Sequence, residues 1–528
     1  MSAAPAASTV AEAGRRAGDL PRYAAAALSG VGLVLVSPPV SATWLEWFLF
    51  VPFLVVLDPE RPRLNFRVGY LAGFVAIYAI FSWLIDTIHT FGQLPVPVAM
   101  AVLALFAAVW GLPYGALAWA APMLRRRFGG WWVLAVPSFW VTLEYLQPAL
   151  FPYYLGGCQY RAPWVWQSAS VVGALGLSWF VFLVNTTLAE AVLAFREGRR
   201  PPWATLGVVA FLFLGNLGYG AWRHAHVEAA LAEAPVLRVA VLQQGVTMVT
   251  RLKDRGSTIL KSWIKLTQEA AAKDPDLVVW PEGSIYSRDP SKGDYATILG
   301  KLAKAGDFHL VLGGGTHEPD PVDVEKFRSW NSVYMFRPDG TVGGRYDKMV
   351  PLPFGEYLPF PFAFLRPYVA GIGNFRAGDS LTQFEVDGLT FSTPICYEAI
   401  LERQMLRMSD VDFYVNVTND AWFGDTAAPH QHAMLSAVHA MEFGRPMLRI
   451  AYTGVGMVVE PHGEIPYETK PYTDVADVVP LRVATFETPY RTWGRLFPLL
   501  AALSGAVLVL VAWRDARKNP VTSKDAPS

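Results

Sequence analysis

Val278-Val279-Trp280-Pro281-Glu282-Gly283-Ser284 reads as a short buried strand that delivers a carboxylate to a turn. The β-branched run needs cover on both faces, and Pro281 and Gly283 stop the strand around Glu282. Working outward, similar apolar runs recur at Val236–Leu242, Leu277–Trp280, Leu310–Leu312, Ser332–Phe336, Phe413–Val417 and Met447–Ile450. Between several of them lie stretches of helical character, Thr258–Ala272, Tyr295–Ala305 and His430–Phe443. Strand–helix alternation of this kind predicts an α/β domain over His224–Tyr490. Gly313-Gly314-Gly315 lacks the spacing of a nucleotide-binding fingerprint.

The rest of the chain has a different composition. Of 528 residues 53% are apolar and only 17% charged, against about 25% charged in soluble domains. Forty-four basic side chains balance 44 acidic ones, which leaves no electrostatic footprint for nucleic acid. The apolar excess falls in segments near the roughly 20 residues that a bilayer core requires. Eight spans are expected, near Tyr23–Val36, Trp44–Leu57, Val68–Ile85, Val96–Leu124, Trp131–Leu146, Ser168–Phe195, Trp203–Trp222 and Leu496–Trp513, the first two short enough to be half-buried or joined by the Ser37-Pro38-Pro39 break. Alternate connections are basic: Arg15, Arg16 and Arg22; Arg61, Arg63 and Arg67; Arg125–Arg127; Arg196, Arg199 and Arg200; and Arg514, Arg517, Lys518 and Lys524. The intervening loops are nearly free of Lys and Arg, with Arg161 the main exception. The positive-inside rule then puts both termini in the cytoplasm and the α/β segment outside it. The expected domains are 1–222 with seven spans, 223–490 as the extracytoplasmic unit, and 491–528 as the closing span and tail. Met1–Leu20 lacks the apolar core of a cleaved signal peptide. Glu144, near the outer end of the fifth span, has two readings: a headgroup or substrate contact, or an interfacial carboxylate bonded to neighbouring helices.

Two further motifs join the Glu282 turn. Arg345-Tyr346-Asp347-Lys348 is followed by Pro353-Phe354-Gly355-Glu356-Tyr357, and Ser392-Thr393-Pro394-Ile395-Cys396-Tyr397-Glu398 brings a cysteine to a strand end. An ordinary thiol has a pKa of about 8.5 and needs a base to become a nucleophile. A strand-end Glu can take that proton. A Lys, with a backbone N–H beside Cys396, can stabilise a tetrahedral oxyanion. The combination suits nucleophilic acyl transfer.

The order Glu–Lys–Cys in Trp-Pro-Glu, Tyr-Asp-Lys and Cys-Tyr-Glu settings resembles the nitrilase, or carbon–nitrogen hydrolase, superfamily. Pro353-Phe354-Gly355-Glu356-Tyr357, Ile395-Cys396-Tyr397-Glu398 and Asn419-Asp420-Ala421-Trp422-Phe423-Gly424-Asp425 narrow the resemblance to bacterial apolipoprotein N-acyltransferases, as do Gly444-Arg445-Pro446 and Phe151-Pro152-Tyr153. The resemblance implies a polytopic α-helical membrane domain plus a nitrilase-like αββα sandwich facing the periplasm of an inner membrane. It implies Glu282 as general base, Lys348 as oxyanion stabiliser and Cys396 as nucleophile, with Glu356, Tyr397, Glu398 and Trp422 supporting or contacting substrate. The implied reaction moves an acyl chain from a phospholipid, typically phosphatidylethanolamine, through a thioester to the α-amine of a diacylglyceryl-cysteine apolipoprotein. No metal or diffusible cofactor is implied. A membrane-tethered amidase using water as acceptor is the alternative with the same three residues.

Two positions depart from the family pattern. Gln244-Gly245 continues into Val246 instead of Asn, and Lys253 falls where a Trp is usual. His430, His432 and His439 lack the carboxylate spacing of a metal site and are expected at a helix start with solvent or headgroup contacts. A Cys158–Cys396 bridge would block the nucleophile, so Cys158 is expected free or buried. The Pro-punctuated segment Leu358–Leu365 is expected to form a mobile, lipid-facing lid rather than a regular helix.

Overall fold

The structure, a computed structural model, describes residues 5–147, 150–247, 250, 257–285, 289–320, 327–368 and 372–519. Lys253 and Lys524 lie outside the described residues. The α/β unit contains two six-stranded sheets. Its strands are β1 (Val236–Gln243), β2 (Leu277–Val279), β3 (His309–Pro319), β4 (Phe327–Phe336), β5 (Val342–Asp347), β6 (Gln383–Val386), β7 (Leu389–Ser392), β8 (Phe413–Asn419), β9 (Met447–Tyr452), β10 (Met457–Val459), β11 (Tyr467–Glu468) and β12 (Val475–Arg482). One sheet runs β12-β1-β2-β3-β4-β5 and the other β11-β10-β9-β8-β7-β6. The central triplets β1-β2-β3 and β7-β8-β9 are parallel, and their flanks are antiparallel.

Strand periodicity explains the layers. Val239, Val241 and Val279 share one buried cluster with Phe391, Phe413 and Val415 of the second sheet. Their neighbours Ala240, Leu242 and Val278 belong to another, with Trp263 and Ala270 of helix Ser257–Ala271 and Leu299 and Ala303 of helix Gly293–Gly306. Alternate side chains thus fill the inter-sheet core and the outer helical layer. Helix Ala428–Phe443 is buried over almost its whole length, because it also packs on helix Ala169–Arg196 and the turn Leu155–Arg161.

The helical region follows the expected segments, with one correction. Stretches 19–36, 96–146, 169–196, 203–232 and 496–518 are long and apolar enough to cross a membrane, and Pro62–Ile80 with Leu84–Gly92 forms a further pair bent by 54°. Stretch 96–146 takes in both expected segments Val96–Leu124 and Trp131–Leu146 with the 3-10 turn Gly129–Trp131 between them, so the described residues hold five such stretches, or six with the bent pair, against the eight spans expected. Trp44–Leu57, expected as a spanning helix, is instead a 3-10 turn, Thr43–Trp47, and a five-residue helix, Val51–Val55. It still returns the chain along the first helix. Ala42 N–H donates to Leu35 O (3.0 Å), Ser29 Oγ to Leu49 O (2.7 Å) and Arg22 Nε to Val56 O (3.2 Å). Pro52 and the crowded aromatic side chains Trp44, Trp47, Phe48 and Phe50 disfavour a regular helix there.

The basic connections gather at one end of this layer. Arg22 and Arg61 share Asp19, Arg125 and Arg199 share Glu190, and Arg126 donates to Asn519 O. Other ends of these helices meet the α/β unit, Ile80 at Gln431 and Ala174 at Glu442. Helix Trp203–Ala232 runs without a break past residue 222, so the chain enters the α/β unit as rigid helix.

The break between Ile80 and Leu84 is locked by one side chain from the α/β unit. Gln431 Nε2 donates to the freed Ile80 carbonyl (2.9 Å), and Trp83 Nε1 donates to Gln431 Oε1 (3.0 Å). Both pairs are buried, so Gln431→Leu would leave an orphan donor and an orphan acceptor at about 1–3 kcal/mol each. A lower melting temperature of the detergent-purified variant is the expected outcome. An unchanged one would mean that packing alone holds the bend.

Candidate active site

Each predicted motif ends a strand, and the ends converge. β2 leads to Glu282, β5 to Lys348 and β7 to Cys396, at the carboxyl edges where open α/β sheets place their chemistry. Glu282, Lys348 and Cys396 are all buried, at 8%, 1% and 8% exposure. Gly313 on β3 makes the approach possible: a Cβ there would stand 2.5–2.7 Å from Gly283 N, Glu282 Cα and Pro281 O. The glycine run therefore serves the Glu282 turn.

Lys348 Nζ is 2.7 Å from Glu356 Oε2 and 3.7 Å from Glu282 Oε1. Asn331, which motif reading did not single out, bridges the two carboxylates: its Nδ2 donates to Glu282 Oε1 (2.6 Å) and Glu356 Oε1 (2.7 Å). Its carbonyl accepts from Lys348 N (2.8 Å). The available signal was an Asn in a strand interior, where that residue is depleted. Glu282 Oε2 has no nitrogen or oxygen partner among the described residues, and the thiol of Cys396 interacts with this carboxyl and with the Thr418 hydroxyl.

Cys396 has φ +50°, a strained value for a residue with a side chain. Glu398 holds that turn. Its Oε2 accepts from Ile395 N (2.9 Å), and its Oε1 accepts from Tyr346 OH, Met349 N and Val350 N (2.7–3.0 Å). One carboxyl thus ties the cysteine turn to the segment just after Lys348. Burial lifts the Glu398 carboxyl to about 7 against the pull of these donors. Beneath the turn, fully buried Arg449 donates to Asn416 Oδ1 (2.6 Å) and Asp420 Oδ2 (3.0 Å), and Asn416 Nδ2 donates to Pro394 O (2.8 Å).

The thiol faces a cavity of about 30 Å³, lined on one side by Phe81, Trp83, Phe151 and Tyr153 and on the other by Leu352, Tyr397 and Phe423. Trp422 does not line it; its ring packs edge-on to Phe91 at 4.7 Å, and Phe423 takes the place beside the thiol. Tyr397 is buried, and burial pushes its phenol up to about 12. Val246 packs in the same cluster as Phe91 and Trp422.

The histidines differ from expectation. His432 and His439 are buried, bonded through Nδ1 to Asp420 (2.8 Å) and Glu442 (2.7 Å), because helix Ala428–Phe443 is enclosed by the helical region. Glu144 is buried and its Oε1 accepts from Leu155 N (2.8 Å), the first residue of the turn Leu155–Arg161 that carries Cys158. Both cysteines are free and buried. Among the described residues, one His/acidic group, Glu228, Glu460 and His462, has ligand atoms within 4.8 Å of one another, and Arg482 already pairs with both carboxylates.

The electrostatics suit a proton relay. Burial, then the charge of Glu282, raises the Cys396 pKa above the ordinary thiol range, and Lys348 only partly offsets this. Burial raises the Glu282 pKa against the pull of Lys348. Burial would depress Lys348, but Glu356 and Glu282 more than compensate and keep it an ammonium. The resting cysteine is therefore a thiol, and Lys348 and Asn331 oppose the burial that pushes the Glu282 carboxyl upward. Alkylation of Cys396 by a small neutral haloacetamide, followed by peptide mass spectrometry, should rise with pH only above the ordinary thiol range. Glu282→Gln removes a negative charge and should move the curve to lower pH; Lys348→Met should move it higher. Coincident curves for all three proteins would contradict the coupling.

Comparison with known proteins gives the family of the chain. Residues 29–187 match the apolipoprotein N-acyltransferase N-terminal domain, and residues 238–478 match the carbon–nitrogen hydrolase family. Apolipoprotein N-acyltransferase of Geobacter metallireducens is 30% identical, covering 93% of this chain and 95% of that protein. That of Brucella melitensis is 31% identical, covering 92% and 96%. An amidase from Nesterenkonia sp. AN1 aligns at TM-score 0.36 and 16% identity, over 48% of this chain and 92% of its own. With relatives at this identity matched over more than nine-tenths of both chains, and a helical region joined to a nitrilase-like sandwich, the chain belongs to the apolipoprotein N-acyltransferase family.

Proposed function

We propose that this protein transfers a fatty acyl chain from a membrane phospholipid, by way of a thioester on Cys396, to the N-terminal amine of diacylglyceryl-cysteine apolipoproteins. Phosphatidylethanolamine is the proposed donor. The proposed organisation is a membrane domain over 1–222, a catalytic domain over 223–490 on the periplasmic face of the inner membrane, and a closing span and cytoplasmic tail over 491–528. The basic connections gathered at one end of the helices support that orientation.

The observation that carries the reading is the wall of the thiol cavity. Cys396 faces Phe81 and Trp83 at the bend of an apolar helix pair, so its substrate is reached through the helical layer. Glu282 takes the thiol proton as sulfur attacks the ester carbonyl. Lys348, with a backbone N–H of the Cys396 turn, stabilises the oxyanion. Collapse expels the lysophospholipid alkoxide, which recovers the proton from Glu282, and leaves the thioester. The acceptor amine then attacks, Glu282 takes its proton, and the thiolate departs to be reprotonated by Glu282. Glu356 and Asn331 hold Lys348 and Glu282, and Glu398 holds the nucleophile turn. In this reading Tyr397 shapes the acyl cavity, and Trp422 acts at a distance through Phe91.

The cavity beside the thiol is narrow, and we infer that one wall moves to admit an acyl chain. The segment from Leu352 to Leu365 is the proposed mover. Leu352 lines the cavity, and Phe360 and Phe364 farther along are 95% and 66% exposed. Hydrogen exchange should be fast across 358–365 in micelles; protection equal to that of β8 would contradict a lid. Purified protein given phospholipid and a diacylglyceryl lipopeptide should yield N-acylated peptide. Free fatty acid without acylated peptide would favour the amidase alternative instead.

A further inference from the structure

A separate group of polar side chains stands where helix Trp203–Ala232 meets the turn after β10, and none of them lines the thiol cavity. Glu228 comes from that helix, and Glu460 and His462 come from the turn. The helical region also holds the turn through its backbone: Gln167 Nε2 donates to His462 O, and Arg223 donates to Pro461 O (3.3 Å). Arg482 orients both carboxylates. Its Nη1 and Nη2 donate to Glu228 Oε1 (2.6 Å) and Oε2 (3.0 Å), and its Nε and Nη2 donate to Glu460 Oε1 (2.8 Å) and Oε2 (2.6 Å). A carboxylate oxygen has two lone pairs, so each Oε2 keeps one beyond its bond to Arg482. His462 Nε2 faces these two atoms, 3.2 Å from Glu228 Oε2 and 3.8 Å from Glu460 Oε2. The imidazole is 0% exposed, yet neither ring nitrogen makes a hydrogen bond among the described residues. His224, with its ring 4.5 Å from that of His462, turns its own Nε2 to Glu464 (3.0 Å).

A buried ring nitrogen without a partner calls for a water or an ion. The spacing favours the ion. With metal–ligand bonds of about 2.0–2.2 Å, two ligand atoms of a tetrahedral zinc site lie roughly 3.3–3.6 Å apart. The 3.2 and 3.8 Å separations stand on either side of that range, and all three ligand atoms lie within 4.8 Å of one another. One imidazole with two carboxylate oxygens suits a zinc-class ion, whereas calcium and magnesium take oxygen ligands. Ligating carboxylates are ordinarily hydrogen-bonded from behind, and Arg482 fills that place. We propose that Glu228, Glu460 and His462 bind one zinc-class divalent cation, with its fourth position left to water. The ion ties the helix through which the chain enters the α/β unit to the turn after β10. It thereby cross-links the two halves of the protein at a point other than the Gln431 contact. The assignment does not depend on the reaction at Cys396.

The test uses full-length protein in micelles, stripped with a chelator and reloaded with zinc, cobalt, calcium or magnesium chloride. After buffer exchange, elemental analysis of the wild type should find one zinc per chain. X-ray absorption at the zinc edge should show nitrogen and oxygen ligands, an imidazole signature and no sulfur. Zinc should raise the wild-type Tm, because it binds the folded state. Changing a mere partner of a ligand typically costs about 10–100-fold in affinity, so Glu228→Gln and, separately, His462→Gln should each weaken zinc binding tenfold or more and abolish the rise in Tm. Glu228 is nearly half exposed, so Glu228→Gln keeps the test decisive where His462→Gln fails to fold. Cys396→Ala should bind zinc as the wild type does. Zinc binding unchanged in Glu228→Gln, calcium or magnesium held as tightly as zinc, or sulfur ligation lost in Cys396→Ala would each overturn the site. So would a stripped wild type that takes up no zinc, which would leave His462 to a water.

Discussion

A lysine ammonium buried between two carboxylates is the interaction on which the site depends. Lys348 is 1% exposed, and its charge is tolerable only because Glu356 and Glu282 stand beside it. Removing one partner of such a group typically costs about 3–5 kcal/mol. The same charges set the chemistry. Burial, then the charge of Glu282, keeps the thiol protonated at rest, while Lys348 and Asn331 pull the Glu282 carboxyl back toward its charged form. In this low-dielectric setting each interaction is stronger than it would be in water. Strand ends, a glycine at 313 and the four bonds of Glu398 hold these groups in place before any substrate arrives.

The second constraint is the seam with the helical region. In an isolated nitrilase-like sandwich, a helix such as Ala428–Phe443 would keep one face in water; here it is enclosed. Gln431 reaches the helix bend, His432 bonds Asp420 near the cysteine turn, and His439 faces a second, larger cavity. One helix therefore links the bend at Phe81–Trp83, the nucleophile and the neighbouring cavity. A thiol walled by both halves of the chain suits an acyl group that never leaves the lipid phase.

Much of the architecture could be read from residue order. The buried strands and the three long helices of the α/β unit stood out because apolar, β-branched runs and helical stretches alternate cleanly. Most strands missed were short or weak; the exception, Val475–Arg482, is eight residues long but carries Asp477 and Pro480 and forms the sheet edge beside β1. Val342–Asp347 contains two glycines, and the Gln383–Val386/Leu389–Ser392 hairpin turns on Asp387-Gly388, a signal present but unused. The return segment Trp44–Leu57 was apolar enough to pass for a helix, yet its bonds run to the neighbouring helix. Glu282, Lys348, Cys396, Glu356 and Glu398 sit in local motifs and could be named in advance. Asn331 and Gln431 could not, because their partners lie 49 and 348 residues away in the chain and no local pattern marks them.

The central claim is that Cys396 carries the acyl group between two lipid substrates. Intact-protein and peptide mass spectrometry of the purified enzyme, given phospholipid and no acceptor, tests it most directly. The account predicts one acyl adduct, mapped to Cys396, absent in Cys396→Ala and discharged when lipopeptide is added. N-acylated lipopeptide formed at the normal rate by Cys396→Ala, or an adduct mapped to Cys158 alone, would contradict it.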